Sequence, residues 1–341
     1  MQKLLQNKKL LILLASFLVL GIFSFIFFSK FDWETFWNSF QGIKIEYFLL
    51  ACAATVGIIL VKAYQIRIYL PKDKKVSVKK LFEDVSMLLM SVNLIPLWGG
   101  HALFVYLLGS HKKVGKTLAF SVITMDQVLD GFGKLAVFLA VSLMVPLPPM
   151  LKDGLFALIL LVTIPYLIML FVAYKYRNLK MEDLKPVSGF KQKVGRAFTK
   201  WAFNLHAIRD FRKVYPIIFI AVLMRGFEAL AVFWVQKGFG LELPYYASIF
   251  VVAAFSFATT IPSVTPARTG VFEGAVISAY HFLGIPTEKA MALALIVHVV
   301  HTLPFVVTGY LVSLKLGFNR KKFQLAQEAE VALTLPIPEE L

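Results

Sequence analysis

Cysteine is almost absent from this sequence, since Cys52 is the single one among 341 residues. An internal disulfide is therefore excluded, and a cysteine-ligated metal cluster is not expected. Cys52 lies within an apolar run, where a small core residue is expected. The sequence also lacks a glycine-rich loop with the spacing of a P-loop or a dinucleotide-binding turn. We therefore predict no nucleotide site, no metal and no cofactor.

Charged residues are scarce as well. They make up 16% of the chain and apolar residues 58%, against about 25% and 45–50% in an average soluble domain. A bilayer core about 30 Å thick needs about 20 apolar residues per spanning helix. The sequence predicts an all-α polytopic membrane protein with about six full transmembrane helices. These are predicted at residues 10–28, 48–66, 117–144, 154–174, 214–235 and 290–314.

Acidic residues are fewer than basic ones, 20 against 36, which gives a formal net charge of +16. The basic residues cluster beside the apolar runs, at the N-terminus and in loops at 62–80, 112–116, 175–213 and 315–322. Such loops face the cytoplasm. We therefore predict a multi-pass protein of the cytoplasmic membrane with both termini cytoplasmic. Orientation and anionic inner-leaflet lipid account for the charge, so no nucleic-acid partner is expected.

Two apolar stretches contain helix breakers near their centres. The first, 81–108, has basic residues on both flanks, whereas the flanks of the second, 245–283, are poor in cations. Each stretch is predicted to be a broken, re-entrant helical hairpin that enters and leaves on one side of the membrane; a bent full span is the competing interpretation. The predicted breakers are Asn93, Pro96, Gly99 and Gly100 in the first stretch, and Pro262, Pro266 and Gly270 in the second.

The two hairpins are predicted to enter from opposite faces, each among full spans. This pattern is typical of an inverted repeat, here with halves at about 43–144 and 214–314, and inverted repeats are typical of transporters. The membrane domain is predicted to occupy residues 1–322, with a cytoplasmic tail at 323–341. Between the halves, the basic segment 175–213 has apolar residues at helical intervals, which predicts an amphipathic helix on the anionic inner leaflet.

Two motifs carry a resemblance to a known family. Residues 259–294, TTIPSVTPARTGVFEGAVISAYHFLGIPTEKAMALAL, and more weakly 93–108 and 125–131, resemble the transmembrane region of lysylphosphatidylglycerol synthases, also called the flippase-like domain family. The matching positions are Pro262, Pro266, Gly270, Val271, Phe272, Glu273, Gly284 and Pro286. The resemblance implies a domain that flips lipids or polyprenyl-linked molecules. The soluble aminoacyl-transferase domain of some members is not found, so lipid lysylation by this chain alone is not expected.

Four positions depart from the family pattern. His101 stands where a Glu is usual, Gln127 replaces an Arg, and Ala267 and Arg268 replace a Gly pair. His101 is nevertheless a candidate functional residue, because it adjoins the predicted hairpin tip. A role in satisfying backbone groups there is the alternative.

Several ionisable residues fall inside predicted spans. Asp126, Asp130 and Lys134 recur every four residues, so they share one helix face, and Arg225 and Glu228 share a face of another helix. A charge at the bilayer centre costs about 2.5–3.5 kcal/mol unless it is paired or hydrated. One interpretation is neutralising pairs, Asp130 with Lys134 and Glu228 with Arg225.

The other interpretation is a hydrated cavity in which a phosphate meets an arginine and a cationic group meets a carboxylate. Its predicted lining is Asp126, Asp130, Arg225, Arg268 and Glu273. His298 and His301 lie three residues apart in the last span. Without a third ligand they are weak evidence for a metal, and hydrogen-bonded packing is favoured.

Three functions follow from these features. The first is a flippase-type transporter of a lipid or lipid-linked head group. The second is a membrane enzyme acting on a lipid-linked substrate, with Asp126 or Glu273 as base. The third is an accessory subunit that docks a cytosolic lipid-modifying enzyme. The expected partners are membrane lipids, such an enzyme, or a second copy in a homo-oligomer.

Overall fold

The computed structural model describes residues 32–74, 76–95, 99–111, 114–144, 149–178, 190–260 and 265–317. Within these ranges the regular elements are helices, and no strand occurs. The predicted first span at 10–28, the tail at 323–341, and the breakers Pro96 and Pro262 lie outside the described residues.

The helices are numbered here in chain order. They are α1 (Trp33–Asn38), α2 (Ile45–Tyr69), α3 (Val78–Leu94), α4 (Gly99–Ser110), α5 (Lys116–Met144), α6 (Pro149–Lys175), α7 (Phe190–Asn204), α8 (His206–Arg209), α9 (Phe211–Gly238), α10 (Tyr245–Ala258), α11 (Val271–Phe282) and α12 (Thr287–Lys315). A short 3₁₀ turn, Pro266–Arg268, precedes α11.

Five of these helices, α2, α5, α6, α9 and α12, are long and apolar enough to cross a membrane. The shortest, α2, has 25 residues, which at 1.5 Å per residue gives about 37 Å. A bilayer core is about 30 Å thick, so each helix exceeds it. These helices confirm five of the predicted spans, and the structure describes nothing of the sixth.

Four of the shorter helices form two packed antiparallel pairs, α3 with α4 and α10 with α11. In the first pair, Asp84 near the start of α3 lies 2.7 Å from Nε2 of His111, just after α4 ends. In the second pair, Phe250 of α10 stacks on Phe282 at the end of α11, with ring centroids 5.2 Å apart. Both predicted interrupted stretches are therefore two helices that turn back on themselves.

The predicted breakers do not all lie between helices. Asn93 lies in the last turn of α3, where its Nδ2 donates to the carbonyl of Leu89, and Gly99 begins α4 with Gly100 in its first turn. The interruption therefore lies between α3 and α4. In the second pair, Pro266 lies in the 3₁₀ turn and Gly270 is the N-cap of α11.

Small residues allow close helix crossings. A Cβ at Gly309 of α12 would lie 2.4 Å from the Cβ of Met90 in α3, and one at Gly133 of α5 would lie 2.7 Å from the carbonyl oxygen of Ala221 in α9. A Cβ at Gly100 would lie 2.4 Å from the backbone nitrogen of Val92. Close approach of this kind is how membrane helices associate, because lipid tails are as apolar as the side chains.

The α3–α4 pair is also fastened to α12, since Glu83 forms an ion pair with Lys315. The 3₁₀ turn between α10 and α11 contacts α3. The interrupted region of one pair therefore lies against the other pair, between the long helices.

Candidate functional site

Five ionisable side chains meet where α2, α5 and α9 pack together. The Lys62 Nζ lies 2.7 Å from Oδ1 of Asp126 and 4.0 Å from Oδ1 of Asp130. The Arg225 Nη2 lies 3.6 Å from Oδ2 of Asp130, and its Nη1 donates to Oε2 of Glu228 at 2.8 Å. We call this group the charge network. It joins three candidate spanning helices through alternating cations and carboxylates.

The helical spacing explains why these side chains converge. Asp126 and Asp130 are four residues apart on α5, and Arg225 and Glu228 are three apart on α9, so each pair shares a face. Gly133 lets α9 approach α5 closely, one turn beyond Asp130. The predicted pair of Arg225 with Glu228 is confirmed.

Lys62 was missed as a site residue, because the sequence placed it in the basic loop at 62–80. It lies instead inside α2, where only 6% of it is exposed. A buried ammonium of this kind needs carboxylate partners, and Asp126 and Asp130 provide them. The signal in the sequence was that Lys62 lies in an apolar run seven residues before α2 ends.

The predicted pair of Asp130 with Lys134 is not formed. Asp130 faces Lys62 and Arg225, whereas the Lys134 Nζ donates to the Thr260 hydroxyl at 3.3 Å. The helical spacing brings Lys134 close to Asp130 but not within 4.0 Å of its carboxylate oxygens. Lys134 therefore has no ion-pair partner among the described residues.

The charge network also has unused hydrogen-bonding capacity. Asp126 Oδ2, Asp130 Oδ1 and Arg225 Nε are buried and have no hydrogen-bond partner in the described part of the chain. Buried polar atoms are usually paired, because leaving one unpaired costs about 1–3 kcal/mol. These atoms can therefore bind a polar ligand or water.

A second polar group joins α11 to α12. The Glu273 Oε2 accepts from the backbone N–H of Gly270 at 2.7 Å, which caps α11, and its Oε1 lies 2.5 Å from Nδ1 of His298. Hydrogen-bonded packing of His298 is thus confirmed. His301 packs among aromatic rings, with centroids 5.5 Å from Phe272. Within the described ranges no group of three potential ligands suits a metal ion.

Arg268 lies in a turn with an unusual backbone. Ala267 and Arg268 have φ angles of 51° and 58°, a left-handed conformation that costs a residue with a Cβ roughly 1–2 kcal/mol. The Gly pair usual in the resembling family would adopt it freely. The Arg268 side chain is half-buried, and no described residue provides its guanidinium with a hydrogen bond or an ion pair.

The two departures at His101 and Gln127 are neighbours in space. The His101 Nε2 lies 3.1 Å from Nε2 of Gln127, which joins α4 to α5 next to Asp126. The resembling family has a Glu and an Arg at these positions. A neutral hydrogen bond therefore stands where the family pattern predicts an ion pair.

A small cavity lies beside the charge network, between α2, α9 and α12. Its volume is about 10 Å³, and Thr55, Glu228 and His301 line it together with apolar side chains. This is room for about one water molecule. None of the five side chains predicted to line a hydrated cavity borders it, so this cavity is not the predicted one, and the hydrated cavity stays a prediction.

Comparison with known proteins gives one result at the level of the family. No curated protein and no solved structure matches the sequence. The family model described as "Lysylphosphatidylglycerol synthase TM region" matches residues 12–309. That match includes every helix of the two antiparallel pairs and every residue of the charge network. The chain therefore belongs to the lysylphosphatidylglycerol synthase transmembrane region family.

Proposed function

We propose that this protein is a flippase-type transporter that moves a lipid or lipid-linked head group carrying a phosphate across the cytoplasmic membrane. Membership of a family of membrane domains linked to lipids supports a lipid substrate. The apolar spans place the protein in the bilayer, where such a substrate lies. The proposal depends further on how charge is arranged among the helices.

The observation that carries the proposal is a pair of inward-lying cations without a carboxylate partner. Lys134 bonds only to a hydroxyl, and Arg268 has no partner among the described residues, whereas Lys62 and Arg225 are paired. An unpaired cation inside a bilayer is costly. An anionic ligand removes that cost, and guanidinium and ammonium groups are the usual protein ligands of phosphate.

The helix arrangement favours a transporter over a membrane enzyme. We propose that α3–α4 and α10–α11 are re-entrant hairpins from opposite faces of the membrane and that they belong to an inverted repeat. Each pair turns back on itself, and the 3₁₀ turn of the second pair contacts α3. Helices α4 and α11 begin at these interruptions, so their positive N-terminal ends lie near the proposed phosphate site.

The enzyme alternative has less support. Of the two carboxylates predicted as bases, Asp126 is ion-paired with Lys62 through Oδ1, and both oxygens of Glu273 are engaged, by His298 and the Gly270 N–H. A general base must be within reach of a substrate proton. Chemical turnover of a head group without transfer between leaflets would favour the enzyme.

The test is transport by the purified protein in liposomes that carry fluorescent phospholipids or polyprenyl phosphates. The fraction of each label that an impermeant quencher reaches measures transfer between leaflets. We expect Lys134→Gln and Arg268→Gln to lower the initial rate about tenfold or more, which corresponds to about 1.4 kcal/mol.

The matched control is Lys152→Gln, which removes an exposed cation from the start of α6 and should leave the rate unchanged. Folded yield and helical content identify variants that fail to fold. If the Lys134→Gln and Arg268→Gln variants both transport at the wild-type rate, the proposed phosphate site is contradicted.

A further inference from the structure

Helix α7 differs from the long helices in length and charge. It has 15 residues, about 22 Å at 1.5 Å per residue, which is too short to cross a core of about 30 Å. Its sequence contains no acidic residue. Its basic residues are Lys191, Lys193, Arg196 and Lys200. A short, purely basic helix in a membrane protein fits along a membrane surface.

One face of α7 is anchored to the bundle. The Trp201 Nε1 donates to the Thr124 hydroxyl at 2.9 Å, and the Ser121 hydroxyl donates to the Trp201 carbonyl at 3.3 Å. Ala202 and Leu205 are completely buried. The position of α7 is therefore fixed against the first half of α5.

Nearer the start of α7, the same face is apolar and exposed. Val194 and Phe198 are each 45% exposed and lie four residues apart, on one face. The positions Lys193, Arg196 and Lys200 have spacings of three and four residues, so they share one side of the helix, opposite Val194 and Phe198. An apolar face opposite a basic face is typical of helices that lie at the boundary between head groups and acyl chains.

The connectivity places α7 at the basic end of the bundle. It follows the end of α6 at Lys175, and α8 and the start of α9 come after it. Helix α5 begins at Lys116 and α12 ends at Lys315 on this side. The side rich in lysine and arginine is the cytoplasmic one, where the leaflet carries anionic lipids.

We propose that α7 binds the anionic phospholipid head groups of the cytoplasmic leaflet. Its lysine ammonium groups meet the lipid phosphates while Val194 and Phe198 enter the boundary with the acyl chains. The absence of acidic residues from α7 favours a phospholipid surface over a protein surface of mixed charge. Because Trp201 bonds to Thr124, the bound lipid also holds the part of α5 that precedes Asp126. This proposal does not depend on the transport activity.

The test uses the full chain with Cys52→Ser and Val194→Cys, labelled with an environment-sensitive fluorophore and reconstituted in phosphatidylcholine vesicles with increasing phosphatidylglycerol. We expect the emission to shift to the blue as phosphatidylglycerol rises. The shift should disappear in about 1 M salt, where the Debye length falls to about 3 Å.

Lys193→Gln combined with Lys200→Gln should raise the phosphatidylglycerol fraction at the midpoint about threefold or more, because each cation near an anionic surface strengthens binding about fivefold. The matched control is Lys152→Gln combined with Lys237→Gln, because these lysines lie at the ends of α6 and α9 that are far from α7. This double variant should leave the midpoint unchanged. Emission that is equal with and without phosphatidylglycerol in the wild-type background, or a midpoint that both double variants move equally, would overturn the proposal. The salt series on the labelled protein with all of its lysines intact gives the same decision if a lysine variant fails to fold.

Discussion

At the scale of single residues, Lys62 is the side chain that holds the charge network together. It is the closest cation to Asp126, and both are buried. Removing one partner of a buried ion pair costs about 3–5 kcal/mol, because the other charge stays buried without compensation. We expect Lys62→Met to lower the thermal transition temperature of the detergent-solubilised protein strongly.

The double variant Lys62→Met with Asp126→Leu removes both charges and should recover at least half of that loss. Lys44→Met, at the N-cap of α2, is a control that leaves the network intact. A loss in the double variant as large as the sum of the two single losses would show that the two side chains are not coupled.

His101 and Gln127 provide a second prediction at this scale. His101→Glu alone places a largely buried carboxylate beside the neutral amide of Gln127, and should destabilise the protein. Adding Gln127→Arg restores the ion pair of the family pattern. We expect a favourable coupling of about 1–2 kcal/mol between the two substitutions in a double-mutant cycle.

The measurement is the transition temperature of the four proteins of this cycle, converted to free energy. Additive effects would mean that the 3.1 Å contact between His101 and Gln127 does not persist in the folded protein. Gln127→Arg alone is an internal control, because its arginine would lie near Asp126 and should be tolerated better than His101→Glu.

At the scale of helices, periodicity and breakers predicted most of the fold. Long apolar runs specified five spans, and Pro266 and Gly270 correctly indicated the interruption before α11. The interruption before α4 was harder to place, because Asn93 remains helical by donating to its own helix backbone. Turn residues show that a helix ends nearby, but the last hydrogen bonds of the helix determine the residue at which it ends.

The partners of the charged residues could be predicted only in part. Arg225 and Glu228 pair within one helix, so their spacing was sufficient. Asp130 pairs with Lys62 and Arg225 from two other helices, and Lys134 turns toward Thr260. Which helices become neighbours depends on packing that a single sequence does not reveal. One of the two predicted local pairs, Arg225 with Glu228, was therefore correct, the other, Asp130 with Lys134, was wrong, and the pairs between helices were not predicted.

Contact between α3 and α12 gives a prediction at the helix scale. A Cβ at Gly309 would lie 2.4 Å from the Met90 Cβ and 2.7 Å from the Ser86 carbonyl oxygen. Gly309→Ala must therefore push the two helices apart, and we expect about 1–3 kcal/mol of destabilisation. Gly274→Ala in α11 is the matched control, since no atom lies within 4 Å of a Cβ there.

The transition temperatures of the Gly309→Ala and Gly274→Ala proteins test how closely α12 packs on α3. Alanine normally favours helices over glycine by about 1 kcal/mol, so Gly274→Ala should be neutral or stabilising. A Gly309→Ala protein as stable as the wild type would mean that α12 does not pack this closely on α3.

At the scale of the whole molecule, the open question is how the α3–α4 pair enters the membrane. A re-entrant hairpin leaves the start of α3 and the end of α4 on the same side, whereas a bent full span leaves them on opposite sides. Lys79 and Ser110 mark these two ends, and both are exposed. The contact between Asp84 and His111 favours the hairpin, because it joins the two ends directly.

Single cysteines introduced as Lys79→Cys, Ser110→Cys and Glu242→Cys, each with Cys52→Ser, separate these arrangements. We expect an impermeant maleimide to label the cysteine at 242 in intact cells, because the exposed loop after α9 lies on the cation-poor, external side. The cysteines at 79 and 110 should react only after permeabilisation. Labelling at 110 but not at 79 in intact cells would mean that α3 and α4 together cross the membrane. The proposed inverted repeat would then be contradicted, because it requires both pairs to be hairpins.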